Sequence, residues 1–372
     1  MPFTADGART TGTSRTGNAV KDWWIYCGKG SPEEKLGRLT AIKPPPWREF
    51  TGTPDPSYQP PGTQSPAWSK SQSRGAGYVP GEAEKNAVNT ALYLRRPLLV
   101  TGKPGVGKST LAHSIAADLA LGPVLHWPIT SRTTLRDGLY HYDAISRLQD
   151  ANLFQRLPTG GARGRYRSHR PALVPTPSIA HYLRLGPLGT ALLPQLRPRV
   201  LLVDEIDKSD IDLPGDLLTV FEEGSFEITE LARLAARQPR VRLATEDGPE
   251  HDVLIDRGRV SCLAFPVVVL TSNGERDFPP PFLRRCIRLH LEQPDKAKLE
   301  QIIRQRLALT SVPGDEYQQL IEAFLDRGSA GDLATDQLLN AIQLRMSNAW
   351  SHAADRDQFV ATVMQRLTGP ST

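Results

Sequence analysis

Cysteine is scarce. The chain holds three in 372 residues, and Cys27, Cys262 and Cys286 show no metal-ligand spacing. An odd, scattered set argues against a disulfide framework and for a reducing compartment, with the cytoplasm as the default. Long apolar runs are also missing. Stretches such as Val200–Val203 and Phe265–Leu270 fall far short of the ~20 residues that a membrane span needs. The opening MPFTADGARTTGTSR is polar throughout and lacks the basic-then-apolar pattern of a secretory leader, so neither export nor a membrane partner is expected. No internal repeat organises the chain. Acidic residues are absent from one long stretch: residues 156–199 carry eight arginines and no Asp or Glu.

What is present is a soluble-type composition, 39% apolar and 23% charged. At roughly 100–200 residues per domain the length suits two or three domains. The net charge of +5 is unevenly placed, because residues 200–372 hold 19 basic against 28 acidic side chains. A basic loop and a basic N-terminal arm thus sit on an acidic body, and whole-chain basicity is weak evidence for nucleic acid. Residues 1–77 are rich in Pro and Gly, and residues 1 to about 20 read as a flexible leader. Yet four of the six tryptophans precede residue 80. Disordered segments are usually poor in aromatics, so 21–50 is expected to dock on something and 51–77 to act as a linker.

From residue 78 to 293 apolar strands alternate with amphipathic helices, the signature of an α/β domain with a largely parallel sheet. The expected strands are Pro97–Thr101, Val124–Ile129, Val200–Val203, Val267–Thr271 and Ile287–Leu291. Leu111, Ile115 and Leu119 recur at helical spacing between the first two. From 294 to 372 only helical stripes remain: Leu299/Ile302/Ile303/Leu307, Leu320/Ile321/Phe324, Leu338/Leu339/Ile342/Met346 and Val360/Val363/Met364/Leu367. The stretch 151–199 is too long for an ordinary connection and reads as a basic insert, and 225–264 reads as a hairpin.

Four groups of residues carry chemistry. Gly102-Lys103-Pro104-Gly105-Val106-Gly107-Lys108-Ser109, followed by Thr110, fits GxxxxGK[ST] between a strand and a helix. Its glycines let backbone N–H groups turn inward around the β- and γ-phosphates of a nucleotide, aided by the positive end of the helix. Lys108 then reaches the phosphates, and the Ser109 hydroxyl suits Mg²⁺. Val200–Val203 ends in Asp204 and Glu205, which suit the outer shell of Mg²⁺ and the general base for an attacking water. Asp207, Asp210, Asp212 and Asp216 read as solvated or helix-capping. Asn273, at the end of the next strand, suits a hydrogen bond to the γ-phosphate or the water, or a simple strand cap. Arg284 and Arg285 suit an arginine finger in trans, with Arg285 favoured, or two surface arginines on a helix end. The basic insert (Arg156, Arg163, Arg165, Arg167, Arg170, with Tyr166 and His169) reads either as a grip on an acidic polypeptide or nucleic acid, or as a solvated loop.

In this order the four sites resemble AAA+ ATPases, and among them the MoxR type. LLVTGKPGVGKSTLA is similar to the Walker A element, VLLVDEIDK to Walker B, VVLTSN to the sensor-1 strand and FLRRC to the arginine-finger position. LGPLGTALLP and DLLTVFEEGSFEI are similar to the segments flanking Walker B in that type. The resemblance implies a three-layer P-loop domain with a five-stranded parallel sheet of order 5-1-4-3-2 and a small helical lid. It also implies Mg·ATP hydrolysis, assembly into a ring, commonly of six, and inserts at 151–199 and 225–264 that touch substrates. The expected role is a chaperone-like remodeller of a protein partner. The alternatives are an ATP-gated switch in a signalling or defence complex and a nucleic-acid-dependent motor. One departure stands out: Ala334–Leu339, where many relatives carry a nucleotide-contacting lid arginine, has none, so either another lid residue such as Arg345 substitutes or lid closure is coupled to ATP differently.

Overall fold

Five apolar runs form the strands of one parallel sheet: β1 (Leu98–Gly102), β2 (Leu125–Pro128), β3 (Val200–Asp204), β4 (Val267–Ser272) and β5 (Ile287–Leu291). The order across the sheet is β5-β1-β4-β3-β2, with every neighbouring pair parallel. The computed structural model describes residues 21–156, 177–307, 314–328 and 334–346. The strands are apolar nearly throughout because both faces of the sheet are covered. Leu98, Val100, Leu202, Val269 and Leu289 enter one buried cluster, while Leu99, Leu201, Val203 and Leu270 enter the other. That split follows the two-residue period of a strand.

The first face is covered by α3 (Glu82–Leu94) and α4 (Lys108–Asp118). Leu111, Ile115 and Leu119, picked out by their spacing, are fully buried there. The N-terminal segment completes this layer, with α1 (Pro32–Ala41) started by Ser31, whose side chain accepts from Glu34 N. Trp24, Ile25 and Tyr26 are buried. Asn89, itself fully buried, accepts from Ile25 N and Tyr26 N and donates to Tyr26 O. Tyr26 Oη and Ser114 Oγ lie 2.9 Å apart, and Lys35 meets Asp118 at 2.5 Å. The stretch 51–77, expected as linker, is instead partly helical. α2 (Pro66–Gly75) is capped by Ser65, buries Trp68 and packs along α4. Gly75 allows that approach, since a Cβ there would stand 2.7 Å from His113 O.

On the opposite face the chain departs from the expected insert. Helix 144–156 is followed, after residues outside the described set, by Leu183–Leu185 and Pro187–Ala191. Leu185, Leu188 and Leu192 are fully buried against Trp127 and Val203 in one cluster. Residues 185–193 therefore belong to the core, because LGPLGTALL is apolar enough to be buried however basic its surroundings. The 225–264 stretch holds the antiparallel pair Arg240–Thr245 and Gly248–Asp256, as a hairpin reading expects. It also lends strands to a second, six-stranded sheet with Tyr140–Tyr142 and Leu183–Leu185. α5 (Leu213–Glu223) lies beside it, ended by Gly224 at φ 59°.

α6 (Pro280–Arg285) leads into β5. After the sheet come α7 (Lys296–Arg306), α8 (Gly314–Gly328) and α9 (Thr335–Met346). Leu299, Ile303, Leu320, Ile321, Phe324, Leu338 and Ile342, drawn from three of the helical stripes, form a separate apolar cluster. The stripe at 360–367, the leader before residue 21 and the arginines from Arg163 to Arg170 lie outside the described residues. Among the described residues no helix is long and apolar enough to cross a membrane.

Candidate nucleotide site

A cleft of about 500 Å³ opens at the C-terminal ends of β1, β3 and β4. This is where parallel α/β sheets bind ligands, and the size suits a small-molecule site. Its floor is the loop Pro104–Ser109, which leaves β1 and turns into α4. Gly105 (φ 76°) and Gly107 (φ 97°) hold conformations that side chains resist. A Cβ on Gly105 would also collide with Ala334, so the loop and the start of α9 touch only because that side chain is missing. Lys108 and Ser109 open α4, so unpaired N–H groups and the positive helix end face the same space.

The Lys108 ammonium donates to Gly102 O at 2.8 Å, Lys103 O at 2.9 Å and Asn273 Oδ1 at 2.7 Å. Burial pulls its pKa below the ordinary lysine value, while Asp207, Asp204 and Glu205 oppose that pull. Asp204 ends β3 and accepts from Ser109 Oγ at 2.7 Å and Thr271 Oγ1 at 2.6 Å, with His126 Nε2 at 3.3 Å. Burial alone would raise this carboxyl. Hydrogen bonds from His126, Thr271 and Ser109 outweigh it and bring the pKa down to about 2. A serine hydroxyl beside a firmly ionised carboxylate, facing a loop of inward N–H groups, fits Mg²⁺ bound together with phosphate oxygens.

Glu205 follows in the left-handed region, at φ 61° and ψ 48°, a modest strain for a non-glycine residue. That turn lets two carboxylates adjacent in sequence line one cleft. Its N–H donates to Thr271 Oγ1 at 2.9 Å, Oε1 accepts from Asn273 Nδ2 at 3.3 Å, and Oε2 accepts from Lys208 Nζ at 2.7 Å. Lys108, Ser109, Asp204, Glu205 and Asn273 are thus brought together. Arg284 and Arg285 are not among the residues lining the cleft. Arg284 is exposed, and Arg285 is bonded to Glu222 on α5.

Asp207 does not go to solvent or cap a helix. It is 4% exposed and accepts from Asn273 N at 2.8 Å and Glu275 N at 3.1 Å, which fixes the turn that carries Asn273. Its place two residues after Glu205 was the only local signal. His126 and Lys208, which touch the two carboxylates, carried no signal in the sequence. On the helical side, Ala334, Thr335, Asp336 and Leu339 line the cleft without a cation. Two basic side chains do reach it from α7. Lys298 pairs with Glu84 at 2.7 Å, and Arg306 donates to Ser73 O and Arg74 O at 3.1 and 2.9 Å.

Comparison with protein families gives one match: the model described as AAA domain (dynein-related subfamily) fits residues 97–307. A comparison with curated proteins gives no match. The matched span runs from the strand before the phosphate loop to the first helix after the sheet, and so contains the whole floor of the cleft. The chain belongs to this AAA-domain family and is a P-loop ATPase, an ATP hydrolase that works with Mg²⁺.

Proposed function

We propose that this chain is a MoxR-like AAA+ ATPase that assembles into a ring, commonly of six in that type, and remodels a protein partner as it cycles through ATP. The observation that carries the reading is the division of the catalytic set. The cleft gathers Lys108, Ser109, Asp204, Glu205 and Asn273, whereas Arg284 and Arg285, at the arginine-finger position, lie outside it on α6. Arg306 does reach the cleft but is bonded to the α2 carbonyls of Ser73 and Arg74, so an arginine on α6 that lies off its own cleft is placed to act on the ATP of a second copy.

In this reading the backbone N–H groups of Gly105–Ser109 and the Lys108 ammonium bind the β- and γ-phosphates of ATP. Lys108 trades its loop carbonyls and Asn273 for phosphate oxygens. Ser109 and Asp204 would hold Mg²⁺, which when bound neutralises charge on the phosphate oxygens. Glu205 takes a proton from the attacking water as its oxygen bonds to the γ-phosphorus and the bond to the β,γ-bridging oxygen breaks, leaving ADP and phosphate. Asn273, fixed by Asp207, orients that water or the γ-phosphate. Arg285, with Arg284 beside it, offsets charge on a neighbour's γ-phosphate. Ala334–Leu339 closes over the loop as part of a lid formed by α7–α9.

Two experiments test this. Lys108→Ala should abolish ATP binding in a calorimetric titration, and unchanged affinity would refute the phosphate assignment. Mixing Lys108→Ala chains with Arg285→Ala chains should restore hydrolysis at interfaces where an intact loop meets an intact arginine. A mixture that co-assembles and stays inactive would refute the shared site.

A further inference from the structure

Arg285 is held on its own subunit. Its Nε donates to Glu222 Oε1 at 2.8 Å, and Nη1 reaches Pro281 O at 3.4 Å. Glu222 sits in the last turn of α5, and its other oxygen, Oε2, lies 3.7 Å from Nη1 of Arg48. The two arginines differ in freedom. Arg48 is 3% exposed, donates to Phe221 O at 2.6 Å and lies 5.0 Å from the centre of the Phe265 ring. Phe265 in turn stacks on Phe50, and Gly52 N donates to Cys262 O, so the whole 46–52 stretch is fastened there. Arg285 and Glu222 are 43% and 42% exposed.

One carboxylate therefore faces a fixed cation from the N-terminal segment and a movable one from α6. When Arg285 leaves, Glu222 is not stranded, because Arg48 stays beside it. The two guanidiniums also repel each other across the shared carboxylate, which favours departure of the one that can move. An ion pair serving only to fasten α6 to α5 gains nothing from a second cation that weakens it.

We propose that Glu222 and Arg48 are positioning residues for Arg285: Glu222 parks the guanidinium, and Arg48 loosens that grip so that the arginine can pass to the ATP of a neighbouring copy. This rests on the reading that Arg285 acts across a subunit boundary. Docking of the 46–52 stretch then sets how readily the shared site is completed, which links that stretch to turnover although it is not among the residues lining the cleft.

The test is steady-state ATP hydrolysis by the full chain, at protein concentrations where activity per chain no longer rises. Glu222→Gln frees Arg285, and kcat should rise about two- to fivefold with KM for ATP unchanged, the range expected for losing one exposed ion pair. Arg48→Gln keeps a donor for Phe221 O but removes the charge. It should lower kcat by a similar factor, lose that effect when combined with Glu222→Gln, and be rescued by Arg48→Lys. A flat or lowered kcat in Glu222→Gln overturns the parking role, as does an Arg48→Gln effect that persists in the Glu222→Gln background. Both Glu222 and Arg285 are half-exposed, so their variants fold and decide the matter even if Arg48→Gln does not. An Arg285→Ala chain with undiminished kcat would instead refute the shared site itself.

Discussion

Replacing Asn89 by alanine should undock the N-terminal segment from the ATPase core. The Asn89 side chain accepts from Ile25 N at 2.7 Å and Tyr26 N at 3.0 Å, and donates to Tyr26 O at 2.8 Å. Ile25 and Tyr26 are 1% and 0% exposed, so water cannot replace these bonds while the segment stays in place. Three orphaned backbone groups at about 1–3 kcal/mol each put the cost at roughly 3–9 kcal/mol. Burial of Trp24, Ile25 and Tyr26 contributes about 1.5–3 kcal/mol per side chain. The two quantities are comparable, so the cheaper response is local release rather than global unfolding. Hydrogen exchange should show the amides of residues 24–28 losing protection, and trypsin should cut at Lys21, Lys29 and Lys35. Asn86→Ala, which removes one bond to Trp24 Nε1, serves as the control and should cost ~1 kcal/mol or less. Unchanged exchange at Ile25 and Tyr26 in Asn89→Ala would refute the reasoning.

Other outcomes follow from single contacts. Glu205→Gln should bind ATP normally and hydrolyse it about 10²–10⁴-fold more slowly, since the amide cannot accept the proton; single-turnover hydrolysis at the wild-type rate would reassign the base. Arg199 and Asp247 form a two-bond pair at 2.7 and 2.8 Å, with side chains 2% and 4% exposed. Arg199→Ala leaves Asp247 buried without that cation and should cost about 3–5 kcal/mol in denaturant unfolding. His113, bonded to Ser71 Oγ, has its pKa lowered to about 4, by burial first and then by Arg74 and His126. The unfolded chain protonates this ring near pH 6.5 while the folded chain does not, so stability is unaffected above that pH and falls as pH drops toward 4, by up to about 3 kcal/mol. His113→Gln should flatten that slope in unfolding titrations across the same window. Gly105→Val should impair nucleotide binding, measured by calorimetry, because its side chain would strike Ala334 and strain a φ of 76°.

The phosphate loop, the strand ending in Asp204 and Glu205, and the apolar stripes of α4, α7, α8 and α9 were legible in the sequence because each depends on residues within one or two turns of chain. A loop of glycines with Lys108 and Ser109 closes on itself, and an apolar run flanked by turns is already a buried strand. Other features depend on which distant segments meet. Asp207 looked like any acidic residue after a strand until the turn at Asn273–Glu275 folded over it. The 51–77 stretch looked like linker because its Pro and Gly content hides a ten-residue helix that is held by packing along α4. LGPLGTALL fell inside a stretch that reads as an insert because of its length along the chain, whereas burial is decided by what lies across it. Arg285 could be named from its place before β5, but not that Glu222, 63 residues earlier, would hold it or that Arg48 would share the carboxylate. Local geometry is set by neighbouring residues through backbone sterics and hydrogen bonding. Charge pairing and burial are set by distances in space, which appear only once the sheet has brought separated segments together.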